Sequence, residues 1–98
     1  MTVITDGLWQ TLSADGDSNE HVCYGRVHLH LSGGFGGGTA KLVLIDGNGV
    51  DRDVASASYT AATDAIFDFP ARALTRLYVN LNGATTPTLV VGLRGENR

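Results

Sequence analysis

Two histidines separated by one residue are the first candidates for chemistry. His28 and His30 lie where apolar and polar residues alternate, so both would project from one face of a β-strand. Such a pair can supply two ligands of a zinc site. A third ligand would have to come from His21 or a carboxylate, and no His-Glu-x-x-His or Cys/His motif supports one. We therefore favour a polar strand face that also carries Arg26.

Two acidic segments partly match calcium-binding loops. Residues 15–20 (DGDSNE) place oxygen ligands at alternating positions, but Glu20 stands where an EF-hand needs Gly, and Arg26 stands where it needs Glu. Residues 46–53 (DGNGVDRD) show the same partial match. Ordinary acidic turns are the favoured interpretation, and a looser calcium site is the alternative. We predict no bound metal and no cofactor.

The glycine-rich stretch at residues 33–38 (GGFGGG) is not a phosphate-binding loop. A P-loop ends in Gly-Lys-Ser/Thr, whereas Gly38 is followed by Thr-Ala. We expect a flexible hairpin loop with Phe35 at its tip, where an aromatic ring can anchor a partner. No Gly-x-Ser-x-Gly motif is present, and Cys23 falls on the apolar side of its strand. These features predict that the protein is not an enzyme.

Alternating hydrophobicity predicts the elements that carry these residues. The clearest strands cover residues 22–31, 39–45, 74–81 and 88–94, and weaker ones cover 8–13, 51–58 and 65–69. The inward-facing sets would be Cys23, Val27, Leu29 and Leu31; Leu77, Val79 and Leu81; Leu89, Val91 and Leu93; and Ala65, Phe67 and Phe69. Asp-Gly and Asn-Gly pairs separate the strands and favour tight turns. A helix within 56–66 or 71–77 is the alternative, although neither has a sustained apolar stripe of helical period.

The predicted fold is a single all-β domain over residues 1–98. We expect an antiparallel β-sandwich, jelly-roll-like or immunoglobulin-like, of about seven to eight short strands. Residues 1–6 and 95–98 are expected to be extended arms.

Composition narrows the function classes. The net charge is −3, from seven basic and ten acidic residues, so there is no basic stripe for nucleic acid. There is no apolar run of the roughly 20 residues that cross a bilayer. One cysteine and the lack of a signal-like start lead us to expect cytoplasmic synthesis. Six of the seven basic residues are Arg, which is enriched at protein interfaces.

The order of motifs along the chain resembles a known group of proteins. An opening TDGLWQTLSADGD is followed by an FGGGT loop, an LVLIDGNG hairpin and a closing LTRLYVNLNGATTPTLVVGLR. Together these resemble the small β-sandwich virion structural proteins of tailed bacteriophages. The similarity covers nearly the whole chain, and its most specific parts are residues 36–39 and 82–89.

The resemblance implies a structural role in a virion, after synthesis in the cytoplasm of a host bacterium. We expect a capsid decoration (cement) protein that bridges and stabilises major capsid protein subunits; a head-fibre, neck or tail component is the alternative within the same group. It also implies a homo-oligomer, with a trimer favoured. The expected interface residues are Arg26, His28, His30, Phe35, Arg76 and Tyr78.

Two other functions stay open at this point. A carbohydrate-binding β-sandwich would need an exposed aromatic platform, for which Trp9, Tyr24 and Tyr78 are the candidates. A small metalloenzyme built on His28 and His30 ranks last.

Overall fold

The computed structural model describes residues 7–23, 25–46, 48–69 and 75–96. Within these ranges the chain forms nine β-strands and no helix, which confirms the all-β prediction. The strands are β1 (Gly7–Leu12), β2 (Gly16–Asp17), β3 (His21–Cys23), β4 (Arg26–Gly34), β5 (Thr39–Ile45), β6 (Asp51–Tyr59), β7 (Thr63–Asp68), β8 (Thr75–Asn82) and β9 (Thr88–Glu96).

The strands form two antiparallel sheets. Sheet I has the order β1-β9-β4-β7, and sheet II has the order β2-β8-β5-β6, with β3 also paired to β8. Since β5 occupies one edge of β8 along its length, β2 and β3 share the other edge as one interrupted strand. Ser18 bridges the interruption, because its N–H donates to the Val79 carbonyl and its hydroxyl accepts the Val79 N–H.

The connectivity is that of a jelly roll. Counting β2 and β3 as one strand gives eight strands in the orders 1-8-3-6 and 2-7-4-5. The chain passes from one sheet to the other at nearly every connection, and only the β5–β6 link stays within a sheet. This arrangement belongs to the jelly-roll class of sandwiches and differs from the immunoglobulin order.

Apolar residues at alternate positions form the core between the sheets. Sheet I contributes Leu12, Val27, Leu29, Leu31, Leu89, Val91 and Leu93, and sheet II contributes Ala40, Leu42, Ala57, Leu77, Val79 and Leu81. Removing a Val or Leu side chain from water stabilises the fold by about 1.5–3 kcal/mol. The predicted inward positions on β4, β8 and β9 are therefore confirmed. Phe67 and Phe69 pack at the margin of this core, and the Cys23 side chain lies outside what the structure describes.

Two predicted boundaries are wrong. The strand expected over residues 22–31 is divided, because the chain leaves sheet II after Cys23 and enters sheet I at Arg26. Gly25, at φ +66°, lies at this crossing, and the alternation continues on both sides of it. Residues 95 and 96 belong to β9 and not to an arm; residues 1–6 and 97–98 lie outside the described ranges. The alternative helices are also wrong where described, since β6, β7 and β8 occupy those positions.

The glycine-rich loop differs most from its prediction. It carries the chain between the sheets, from β4 to β5, and is not a hairpin. Gly36, at φ +62°, lies so close to residue 85 that an added Cβ would stand 2.4 Å from the Thr85 carbonyl oxygen. The Gly36 carbonyl accepts the Thr85 N–H at 2.9 Å. The glycines therefore fix the loop against the neighbouring turn, and Phe35 enters the core with 7 % of its surface exposed. The expectation of an exposed aromatic anchor at the loop tip is wrong.

We predict that Phe35→Ala destabilises the fold by about 3–5 kcal/mol, because it removes a buried ring and leaves a cavity. Chemical denaturation followed by circular dichroism measures the change. Val50→Ala is the control, since Val50 is 49 % exposed, and it should cost under about 0.5 kcal/mol. Equal, small effects of both changes would show that Phe35 is not a core residue in solution.

Candidate functional site

Two neighbouring rows of residues cross the outer face of sheet I. They arise because residues two apart on a strand share a face, while the intervening leucines and valines point into the core. In the strand order β1, β9, β4 and β7, the first row is Trp9, Gly92, His30 and Asp64, and the second row is Gly7, Arg94, His28 and Ile66. They line a groove of about 560 Å³, which we call the Trp9 groove. This volume lies within the range of small-molecule sites, about 300–1,000 Å³.

Trp9 is the dominant side chain of the groove. Its indole extends from the edge strand β1 across Gly92 and stacks on the His30 imidazole, with ring centroids 5.2 Å apart and planes inclined by 14°. Only glycine permits this path, because a Cβ on residue 92 would lie 2.6 Å from the indole. Trp9 is nevertheless 70 % exposed. The sheet therefore presents a large aromatic surface that the chain itself covers only in part.

The hydrogen bonds of His30 hold the stacked pair in place. Its Nδ1 lies 2.6 Å from the Asp64 carboxylate, to which an Nδ1–H donates, and its Nε2 lies 2.9 Å from the Ser32 hydroxyl. With both ring nitrogens engaged, His30 is poorly placed to bind a metal ion. Nowhere in the described ranges do three or more His, Cys, Asp or Glu side chains converge as a metal site would require.

Arg94 and Ile66 complete the groove. Ile66, on the edge strand β7, is 58 % exposed. Arg94 is also exposed and lies on β9, between Gly7 of β1 and His28 of β4. The groove thus combines an aromatic surface, an exposed aliphatic side chain, a guanidinium and a carboxylate. This mixture suits recognition of a ligand with both apolar and polar parts.

The expected interface residues do not form one patch. Arg26, His28 and His30 share the outer face of sheet I, as predicted, and Arg26 pairs with Asp68 at 3.0 Å. Arg76 and Tyr78 lie on the outer face of sheet II, on the opposite side of the sandwich, because Leu77 and Val79 point inward. Phe35 belongs to the core. A single binding surface can therefore include only some of the six predicted interface residues.

Sequence reasoning missed Arg94, Asp64 and Ile66. The alternation of the last strand already placed Leu93 inward and so Arg94 outward. No local pattern indicated that β9 lies between β1 and β4, or that β7 lies beside β4, because these pairings join distant segments. Trp9 was a candidate for an aromatic platform, and its exposure agrees with that prediction; Tyr24 lies outside the described residues.

The carboxylates of the acidic segment 15–20 bind groups of neighbouring turns and strands. Asp15 accepts the N–H groups of Gly83 and Ala84, and Asp17 accepts a hydrogen bond from Asn80. Glu20 forms an ion pair with Arg76 at 2.7 Å. These carboxylates have separate partners and do not converge on one point.

The second acidic segment is also an ordinary turn. Asp46 accepts hydrogen bonds from the Arg52 side chain and from the backbone N–H groups of Val50 and Asn48. The bond from Arg52 is the main reason that the pKa of the Asp46 carboxyl lies below its ordinary value, and the two backbone bonds add to it. The Asp46 carboxylate therefore stabilises the turn in which it lies.

Tyr78 is held within the outer face of sheet II. Its hydroxyl donates to the Asp51 carboxylate at 2.9 Å. Partial burial, followed by this hydrogen bond and the nearby carboxylates, raises the pKa of Tyr78 to about 12. Because the ring and its hydroxyl bind within the chain, Tyr78 is a less suitable ligand platform than Trp9.

We predict that Gly92→Ala displaces the Trp9 indole from His30 with little loss of stability, because the indole can turn into solvent. Trp9 is the single tryptophan, so fluorescence and its quenching by acrylamide report on this ring alone. Gly34→Ala is the control, since a Cβ there meets its nearest atom at 3.7 Å. The stacked arrangement would be contradicted if Gly92→Ala left the tryptophan signal unchanged.

We predict an alkaline stability loss that depends on Tyr78. A pKa raised from 10.0 to about 12 favours the neutral phenol in the folded state. This contribution is complete below the unfolded pKa and is lost as pH rises towards the folded one. Urea unfolding at about pH 8, 9.5 and 11 should therefore show a weaker decline for Tyr78→Phe than for the wild type. Tyr59→Phe is the control; equal declines in all three proteins would refute the assignment.

Comparisons with known proteins give this chain no relative. No protein family model, no curated protein and no solved structure matches it. In the described part of the chain no helix is long and apolar enough to cross a membrane. The resemblance to phage virion proteins therefore stays a prediction from the sequence.

Proposed function

We propose that this protein is a glycan-binding jelly roll of a phage particle, without catalytic activity, and that the Trp9 groove is its sugar site. The observation that carries the proposal is that Trp9 is 70 % exposed and yet has its indole positioned by contacts with Gly92 and His30. A solvent-exposed tryptophan in a groove forgoes burial that would stabilise the fold. Ligand binding gives this exposure a physical reason.

The chemistry of the groove matches the two kinds of surface on a sugar. A pyranose ring has faces of C–H groups, which pack on an aromatic ring, and a rim of hydroxyls that need donors and acceptors. Trp9 supplies the aromatic ring. The Asp64 carboxylate and the Arg94 guanidinium supply an acceptor and a donor on the same face.

The groove is largely preorganised. The hydrogen bonds of His30 to Asp64 and Ser32 fix the imidazole against which the indole stacks. The side chains stand on strands of one sheet, whose pairing sets their separations. A ligand therefore loses less free energy to ordering of the protein than it would on a loop.

The dimensions of the groove favour a small ligand. Four strands at a spacing of about 4.8 Å span roughly 15 Å, and two rows of residues cover roughly 10 Å along the strands. The resulting area is well below the roughly 800 Å² that each partner contributes to a standard protein interface. One or a few sugar rings fit this area, whereas a protein partner would need the rest of the face.

The placement on a phage particle rests on the sequence resemblance. Jelly rolls occur both in viral capsid proteins and in lectins, so the fold is compatible with it and does not establish it. A receptor-binding or head-fibre component would combine a place on the phage particle with a sugar site.

Capsid decoration is the second candidate. It is favoured by the resemblance and by the shared position of Arg26, His28 and His30 on the outer face of sheet I. A major capsid protein partner would cover that whole face, including the Arg26–Asp68 ion pair beyond the groove. If the protein is a decoration protein, its binding to the capsid should depend on Arg26 as well as on Trp9.

We predict that Trp9→Ala weakens glycan binding at least about tenfold, since the loss of an apolar stacking surface costs about 1.5–3 kcal/mol. The measurement is an array of bacterial surface oligosaccharides, followed by calorimetry on the best ligand. Val22→Ala is the control, because Val22 is 47 % exposed on sheet II, and it should bind normally. Absence of glycan binding, together with capsid binding that is lost on Arg26→Gln, would replace this proposal with decoration.

A further inference from the structure

We infer that the Trp9 groove selects acidic sugars, of the uronic or nonulosonic acid type, by pairing their carboxylate with Arg94. The inference rests on the proposed function above and names the class of sugar. Its basis is the position of Arg94 beside Trp9 and the difference between Arg94 and the other Lys and Arg side chains that the structure describes.

Arg94 lies directly beside the aromatic surface. Gly92 and Arg94 are two residues apart on β9 and share a face, and Trp9 is paired with Gly92. Trp9 and Arg94 are therefore diagonal neighbours across two strands, at a separation of about 7–8 Å that long side chains readily span. A single pyranose ring stacked on the indole would place a rim carboxylate within reach of the guanidinium.

The strand beside Arg94 leaves its side chain accessible. The residue opposite it on β1 is Gly7, where an added Cβ would lie 3.9 Å and 4.0 Å from the Cβ and Cγ of Arg94. Glycine thus leaves the space over the sheet edge open next to the stem of the arginine. His28, on the other side, is half-buried.

Arg94 differs from the other Lys and Arg side chains that the structure describes in having no ion-pair partner among the described residues. Among the described residues, Arg26, Lys41, Arg52 and Arg76 each pair with a carboxylate, at 3.0, 3.7, 2.7 and 2.7 Å. None of the carboxylates whose side chains the structure describes forms an ion pair with Arg94. Its guanidinium retains its five N–H donors, in the fork geometry that matches a carboxylate with two parallel hydrogen bonds.

Asp64, the carboxylate of the groove, repels a ligand carboxylate at Arg94 only weakly. Asp64 stands on β7, two strands away from β9, which corresponds to about 10 Å at the usual strand spacing. Its charge is also turned towards His30 Nδ1 at 2.6 Å. At physiological salt the screening length is about 8 Å, so repulsion of a ligand carboxylate at Arg94 is weak.

The test compares ligands that differ only in charge. Trigalacturonate and its trimethyl ester form one pair, and sialyllactose and its methyl ester form the other. Calorimetry on the full chain should show at least about tenfold tighter binding of the acidic member of a pair, which is about 1.4 kcal/mol. Arg94→Gln should weaken binding of the acidic member about tenfold more than binding of the neutral member, so that the preference disappears. Arg26→Gln, on the same face but outside the groove, should retain the preference.

The outcomes separate this inference from the proposed function. Equal binding of acidic and neutral members by the wild type, lost for both on Trp9→Ala, would overturn the selection of acidic sugars and leave the glycan site intact. Equal weakening of both members by Arg94→Gln would also overturn it, since Arg94 would then only shape the groove. If no sugar of either kind binds, both proposals are wrong. Raising the salt should reduce the affinity for the acidic member alone.

Discussion

The packing of two alternating apolar faces against each other is the constraint on which the rest of this molecule depends. The central strands contribute residues two apart to the core, from Val27 to Leu31 on β4 and from Leu89 to Leu93 on β9. A shift of one residue in any pairing would turn these side chains into solvent. The register is therefore strongly specified, and with it the identity of every residue on the outer faces.

The groove is a consequence of this register. Because Leu93 and Leu29 must face inward, Gly92, Arg94, His28 and His30 must face outward, in two adjacent rows. Placing a glycine at the centre of one row creates the space that Trp9 crosses. The same side-chain pattern that stabilises the sandwich thus determines the shape of the face that can meet a ligand.

The two outer faces differ in how far their polar groups satisfy one another. On sheet II, Tyr78 binds Asp51, Arg76 binds Glu20 and Asn80 binds Asp17. On sheet I, Arg26 and His30 bind Asp68 and Asp64, but Arg94 has no ion-pair partner among the described residues. Trp9 and Ile66 on the same face are largely exposed. Exposed ion pairs contribute little to stability, about 0–1 kcal/mol each, but they compete with outside ligands for the same groups. Sheet I is therefore the better candidate for recognition.

The oligomeric state would determine how a sugar site in the Trp9 groove is used. A trimer that displays three copies would bind a polymeric glycan through several weak sites at once, which raises the overall affinity without new contacts. A monomeric module would need most of its affinity from the Trp9 groove alone.

The sequence by itself determined the strands and their inward faces, since hydrophobic alternation is a local property. It predicted β5, β8 and β9 closely and placed Leu77, Val79 and Leu81 inside. The partners of each strand were decided only by the tertiary structure, because jelly-roll pairings join segments far apart in the chain. For the same reason Phe35, expected at a loop tip, is buried by a contact between Gly36 and Thr85 that no local pattern indicates. The neighbourhood of Trp9, Arg94 and Asp64 likewise exists only once β1, β9, β4 and β7 lie side by side.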